Sequence, residues 1–209
     1  MTEQEQIELL KNWLKQYSMV ILAGVVIAGI AIFGWYTYQQ RQIKIQSHAS
    51  LLYDNMLTLR SQHDQDAAIK QADKLMQHYK STVYAQMAAL MLARFAVLDK
   101  NYAAAESQFN WVLNKSHVNS IKQIARIRLA RLLIAEKKPN DAITTLETVH
   151  DTNFDGLTYE VRGDAYLALQ NTSKAREAYQ NAIANLPNAE VVRPLLQMKY
   201  DNLATQPVS

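Results

Sequence analysis

Arg94 and Arg131 stand 37 residues apart, each directly after an alanine in an apolar run, and Asp164 follows a glycine 33 residues further on. Charged side chains recurring at one register of a repeated helix share a face. Guanidinium groups there pair bidentately with carboxylates while their stems cover apolar surface. One turn earlier stand Leu90, Ile127 and Glu160. These six residues form a mixed lining suited to a peptide backbone, an acidic segment or an unfolded client. Arg94 and Arg131 also have a plainer role open to them, in salt bridges within the domain or beneath a terminal helix.

Other chemistry is sparse. The chain has no cysteine, which excludes disulfides, thiol nucleophiles and thiolate metal sites. His48, His63, His78, His117 and His150 form no HxxxH or HExxH pair. The run His63-Asp64-Gln65-Asp66 holds three potential metal ligands. It falls between predicted helices, where Asp64 or Asp66 suits an N-cap. Arg126 and Arg128 diverge on a helix, so the Arg126–Arg131 cluster reads as solvated or intrarepeat residues. Phe109 and Trp111 read as packing residues instead of an aromatic cage. With no nucleophile elbow and no glycine-rich phosphate loop, the reading is a protein that is not an enzyme, with no catalytic, cofactor or metal site.

The elements that position these residues begin with an uncharged, apolar stretch from Gln16 to Gln40. A bilayer core takes about 20 helical residues to cross, and Ser18–Tyr36 is long enough. Trp13 and Tyr17 at one end, and Trp35, Tyr36 and Tyr38 at the other, suit the headgroup layers. A cleaved signal peptide fits poorly, because Glu3, Glu5 and Glu8 replace a basic start and the apolar run is too long. We therefore expect a retained anchor at 18–38, preceded by an N-terminal segment at 1–17 and followed by a helical domain at 39–209. Lys11 and Lys15 before the span balance Arg41 and Lys44 after it, so charge leaves the orientation open. Glycines at 24, 29 and 34 recur every five residues and walk around the helix, a weak signal for a lateral helix partner.

Beyond the anchor, 20 basic residues face 16 acidic ones, dispersed among each other and giving no stripe for nucleic acid. Five glycines and four prolines in the whole chain leave little room for hairpins, and the apolar residues recur at helical spacing. The fold class is all-α. Its strongest signature runs from Tyr159 to Pro187, where Tyr159, Gly163, Tyr166, Ala175, Tyr179, Ala182 and Pro187 fall at the offsets of a tetratricopeptide repeat. Small Gly163 and Ala175 let two helices of a pair approach, Tyr166 and Tyr179 fill the space between successive pairs, and Pro187 ends the second helix. Ala130, Leu133, Ala142, Leu146 and Val149 repeat the pattern 33 residues earlier, and Ala93, Ala96, Ala105, Phe109 and Val112 a further 37 earlier. Turns are predicted at Lys137–Asn140 and Asp99–Asn101. Leu51–Arg60 and Asp66–Tyr79 form a terminal pair without the signature, and Ala189–Ala204 a capping helix. The architecture is an N-terminal transmembrane helix followed by a tetratricopeptide-like α-solenoid of three and a half to four pairs with a C-terminal cap.

The whole chain resembles the YfgM-like proteins, bacterial inner-membrane proteins with one N-terminal span. The resemblance rests on the acidic N-terminal segment, Ala85–Asp99, Trp111-Val112-Leu113, Ala125–Leu133, Arg162-Gly163-Asp164 and Ala175–Tyr179. It implies an ancillary component of the Sec translocon, with the N-terminus cytoplasmic and the helical domain periplasmic. The implied partners are SecYEG, the membrane-anchored PpiD chaperone and exported client proteins. It offers no catalytic or binding residues to carry over. A cytoplasm-facing tetratricopeptide adaptor or regulatory scaffold is the alternative, lowered by the absence of a convincing basic clamp for a partner's C-terminal carboxylate.

Overall fold

The computed structural model describes residues 3–186 and 194–204, and among them every regular element is helical. The chain divides into two compact units, Met1–His48 and Ala49–Ser209.

The described residues of the first unit belong to α1 (Glu3–Ser61). Its apolar side chains face outward: Ile27, Ile30, Phe33 and Trp35 each keep about two-thirds of their surface exposed. Such a surface is costly in water, and this helix is long and apolar enough to cross a membrane. Trp13 packs on Tyr17 and Trp35 on Tyr38, with ring centroids 5.5 and 6.4 Å apart. Ser18 and Thr37 donate their hydroxyls to the carbonyls of Lys15 and Gly34, so polar groups at both ends of the apolar stretch are satisfied by the helix itself. A Cβ on Gly24, Gly29 or Gly34 would meet no neighbouring atom within 4 Å.

The second unit contains the end of α1, then α2 (Gln65–His78), α3 (Val83–Leu98), α4 (Tyr102–Lys115), α5 (Asn119–Ala135) and α6 (Pro139–Glu147). A 3-10 turn at Thr152–Phe154 leads into α7 (Asp155–Ala168), α8 (Thr172–Ala184) and α9 (Pro194–Ala204). The predicted pairs are thus present as α1–α2, α3–α4, α5–α6 and α7–α8. The predicted Pro187 stop and the predicted start of the cap at Ala189 lie outside the described residues.

One turn closes all four pairs. His63, Lys100, Lys137 and Gln170 adopt left-handed backbone with φ of 62°, 57°, 62° and 60°. After each, the next amide bonds back over the turn: Asp64 to Leu59, Asn101 to Ala96, Lys138 to Leu133 and Asn171 to Tyr166, at 2.8–3.0 Å. This satisfies carbonyls that a helix end otherwise leaves bare. The same following residue caps the next helix, as Asp64, Asn101 and Asn171 accept from the amides of Ala67, Ala104 and Lys174. Lys138 supplies no side-chain cap, and Pro139 starts α6 instead. The expected N-cap role of Asp64 is therefore present. The first pair, which lacks the signature residues, ends on the same turn as the other three.

Alanine lets the helices approach. Ala68, Ala85, Ala88, Ala93, Ala105 and Ala130 are fully buried at helix contacts, and Leu75 and Leu146 fill the spaces beside them. Full burial of one such leucine contributes about 2 kcal/mol. Trp111 packs against two of the three core clusters, which accords with the packing role read from the sequence.

At α7–α8 the approach is closer still. Gly156 and Gly163, seven residues apart on one face of α7, leave no space for a methyl: a Cβ would lie 2.4 Å from Leu186 Cγ and from Tyr179 Cε1 respectively. Tyr179 therefore departs from its expected role between successive pairs. Its ring lies within its own pair, in the hollow that Gly163 leaves, and packs in one cluster with Leu196 of α9.

Candidate partner groove

The first helices of the first three pairs line an open groove of about 710 Å³. Tyr53 and Arg60 come from the end of α1, Val83 through Val97 from α3, and Ile121 through Ala135 from α5, with Phe109 of α4 reaching in from behind. Its walls are chiefly aliphatic. Met87, Met91 and Val97 lie along α3, while Ile121 and Ile124 face them from α5. Four arginines, Arg60, Arg94, Arg128 and Arg131, stand among these apolar side chains, and among the described residues no carboxylate lines the cavity. Helix periodicity explains the pattern, since Met87, Leu90, Met91 and Arg94 of α3 follow i, i+3, i+4, i+7 spacing.

The six residues chosen from the sequence divide three ways. Leu90, Arg94 and Arg131 line the cavity. Ile127 is buried in the core, 3% exposed. Glu160 and Asp164 lie on α7, outside the cavity lining. Glu160 is nearly buried and faces Arg131 Nη2 at 3.8 Å. Asp164 Oδ1 accepts a 2.7 Å bond from the Tyr179 hydroxyl and pairs with Lys199 of α9. Of the repeat signature, Tyr159 and Tyr166 carry cations on their ring faces: Arg162 lies 5.3 Å from one centroid and Lys174 5.5 Å from the other. Ala175, Tyr179 and Ala182 are fully buried.

Sequence reasoning missed Arg60, Arg128, Tyr53 and the two methionines. The signal for several of them was the turn. Counting back from His63, Lys100, Lys137 and Gln170 aligns Tyr53 with Leu90, Ile127 and Glu160, and aligns Arg128 with Met91. Arg128 also precedes Arg131 by three, which puts both on one helical face. Arg126 points elsewhere and donates to Gln123 Oε1 at 3.0 Å.

Burial depresses the Arg128 guanidinium below its ordinary pKa, and the like charges of Arg131 and Arg94 add to the effect. The cluster is therefore a site of positive potential. Among the described residues, no group of three or more His, Cys, Asp or Glu is placed to hold a metal ion.

The model of the tetratricopeptide repeat-like domain matches residues 11–205. The chain belongs to the tetratricopeptide repeat-like family. Solved structures of this type share the fold. A MamA fragment from Desulfovibrio magneticus RS-1 superposes with a TM-score of 0.53 at 18% identity, over 75% of this chain and 89% of that one. A tetratricopeptide repeat protein from Parabacteroides merdae gives 0.52 at 22% identity, over 73% of this chain and 57% of that one. Relatives named ancillary SecYEG translocon subunit extend over nearly the whole length. That from Neisseria gonorrhoeae is 29% identical over 202 residues, 96% of this chain and 97% of its own. That from Escherichia coli K12 is 27% identical over 202 residues, 97% of both. The resemblance to the YfgM-like proteins is thus shown at the level of sequence. Repeat-like domains stack helix pairs into extended binding surfaces.

Proposed function

We propose that this chain is a membrane-tethered, non-catalytic interaction subunit of the Sec translocon. In this reading residues 1–17 are cytoplasmic, 18–38 cross the inner membrane, and the helical domain at 39–209 is periplasmic. There it works beside SecYEG and the PpiD chaperone on exported proteins. The observation that carries the reading is the coexistence in one chain of an exposed apolar helix of membrane-spanning length and an open, apolar, arginine-bearing groove. The full-length relatives, by their name, supply the translocon as the partner. Tethering makes weak contacts sufficient, because a groove held at the membrane meets its partners at high effective concentration.

In-cell crosslinking tests it, with a photoreactive residue at Ala28 in the apolar helix and another at Arg131 in the groove. Sec channel subunits or a periplasmic chaperone trapped at either position support the reading and its orientation. Cytoplasmic proteins alone at Arg131 overturn it in favour of a cytoplasm-facing adaptor.

A further inference from the structure

We infer that the groove between the end of α1, α3 and α5 selects acidic, aliphatic segments of its protein partners, binding carboxylates through Arg60, Arg94, Arg128 and Arg131. This deepens the reading above by naming the chemistry of the partner, and it rests on that reading for where the partner is met.

Charge complementarity carries the inference. Among the described residues the lining holds four guanidinium groups and no acid. Among the described residues, no carboxylate pairs with Arg60, Arg94 or Arg128. Arg131 has Glu160, at a long 3.8 Å and with 42% of the arginine side chain still exposed. All four guanidinium-bearing residues are exposed, so their charges are accessible to a partner. Like charges gathered on one apolar surface repel each other. A ligand that brings carboxylates relieves that repulsion, and arginine geometry favours bidentate pairing.

The surface between the arginines specifies the rest of the ligand. Met87, Met91, Ile121 and Ile124 offer aliphatic contact, and methionine adapts to side chains of differing shape. Such a floor suits many related segments more than one exact sequence. It is a poor platform for nucleobases, which bind single-stranded sites through aromatic stacking. The arginines come from three separate helices and are interspersed with the aliphatic residues, matching carboxylates alternating with aliphatic side chains along a peptide more closely than one phosphate headgroup.

The test uses the full chain in nanodiscs of zwitterionic lipid and fluorescence polarisation of two labelled peptides, one of alternating Glu and Leu and one of alternating Lys and Leu. The Glu peptide binds, the Lys peptide does not, and binding weakens as salt rises. Arg94→Glu and Arg128→Glu each weaken it about tenfold or more. Arg126→Glu, on α5 but outside the lining, leaves it unchanged and controls for folding. Equal binding of the two peptides, or binding insensitive to Arg94→Glu and Arg128→Glu, overturns the inference. So does displacement of the Glu peptide by phosphatidylglycerol vesicles that themselves bind with the same arginine dependence, which assigns the groove to anionic lipid. Sec subunits trapped in cells by a chain that ignores the Glu peptide would remove this inference alone. Peptide binding by a chain that traps no Sec subunit or periplasmic chaperone would remove the translocon reading instead.

Discussion

The ring of Tyr179 occupies the space where Gly163 has no side chain, so that a Cβ on Gly163 would lie 2.4 Å from Tyr179 Cε1 and 2.5 Å from Cδ1. Glycine is required here by the neighbour, since this residue sits in ordinary helix with no positive φ. The tyrosine is fully buried and rigidly surrounded, so it has nowhere to retreat.

Gly163→Ala is expected to destabilise the domain by about 1–3 kcal/mol, the usual cost of overpacking, despite alanine's better helix propensity. Thermal unfolding of the full chain in detergent micelles, followed by circular dichroism, measures it. The paired variant Gly163→Ala/Tyr179→Leu should recover part of the loss, which neither a propensity effect nor a general loss of folding would produce.

Tyr179 ionises with difficulty. Burial is the main cause, and the bond to Asp164 with the negative charges of Asp164 and Glu160 raises its pKa further above the ordinary 10.0. The folded state holds this proton more tightly than the unfolded chain does. Stability from Tyr179 is complete below pH 10 and declines as pH rises above it. Tyr179→Phe keeps the ring and loses the hydroxyl bond, costing about 1 kcal/mol at pH 7. Denaturant melts between pH 8 and 11 should show a shallower alkaline loss for Tyr179→Phe than for the unsubstituted chain.

Lys199 fastens α9 to the repeat. It pairs with Asp164 and lies 5.7 Å from the centre of the Tyr179 ring, while Arg176 of α8 stacks 5.3 Å from the centre of Tyr200. The pair is partly shielded from water, with 28% and 24% of the two side chains exposed. Lys199→Met is expected to cost about 1–2 kcal/mol, between the values of exposed and buried pairs. Hydrogen exchange should accelerate first in α9, before α3 or α5. Uniform acceleration across the domain would refute a local fastening.

The turn residues are a reserve of stability. Lys100 and Lys137 hold left-handed backbone that costs an L-residue about 1–2 kcal/mol, part of which glycine gives back as unfolded-state freedom. Lys100→Gly and Lys137→Gly should each stabilise by up to about 1 kcal/mol, seen as a higher melting temperature. Lys137→Val, which crowds the same backbone with a branched side chain, should lower it.

A buried polar contact between α3 and the residue after α4 gives a fifth test. Ser116, after α4, donates its hydroxyl to Gln86 Oε1 of α3 at 2.9 Å, and both residues are 1% exposed. Ser116→Ala leaves a buried acceptor unpaired and should cost about 1–3 kcal/mol in chemical denaturation. Ser116→Ala with Gln86→Leu should cost less than Ser116→Ala alone, because the acceptor is then gone as well.

The sequence by itself determined the apolar helix, the helical pairs and the close α7–α8 approach at Gly163, because each follows from short-range spacing: an unbroken apolar run, a 3.6-residue period, and small residues at the repeat offsets. It also determined the register that places Leu90, Arg94 and Arg131 on one face. Tertiary structure decided which residues at that register remain open. Asp164 occupies the position of Arg94 and Arg131, yet Tyr179 and the sequence-distant Lys199 occupy its carboxylate. Ile127 repeats Leu90 and both are buried in one core cluster, but the groove lining includes Leu90 and not Ile127. Arg60 and Arg128 sit off that register and line the groove. Local period fixes the direction a side chain takes from its own helix, but its exposure depends on what a distant helix lays against it, and that contact is set by three-dimensional packing.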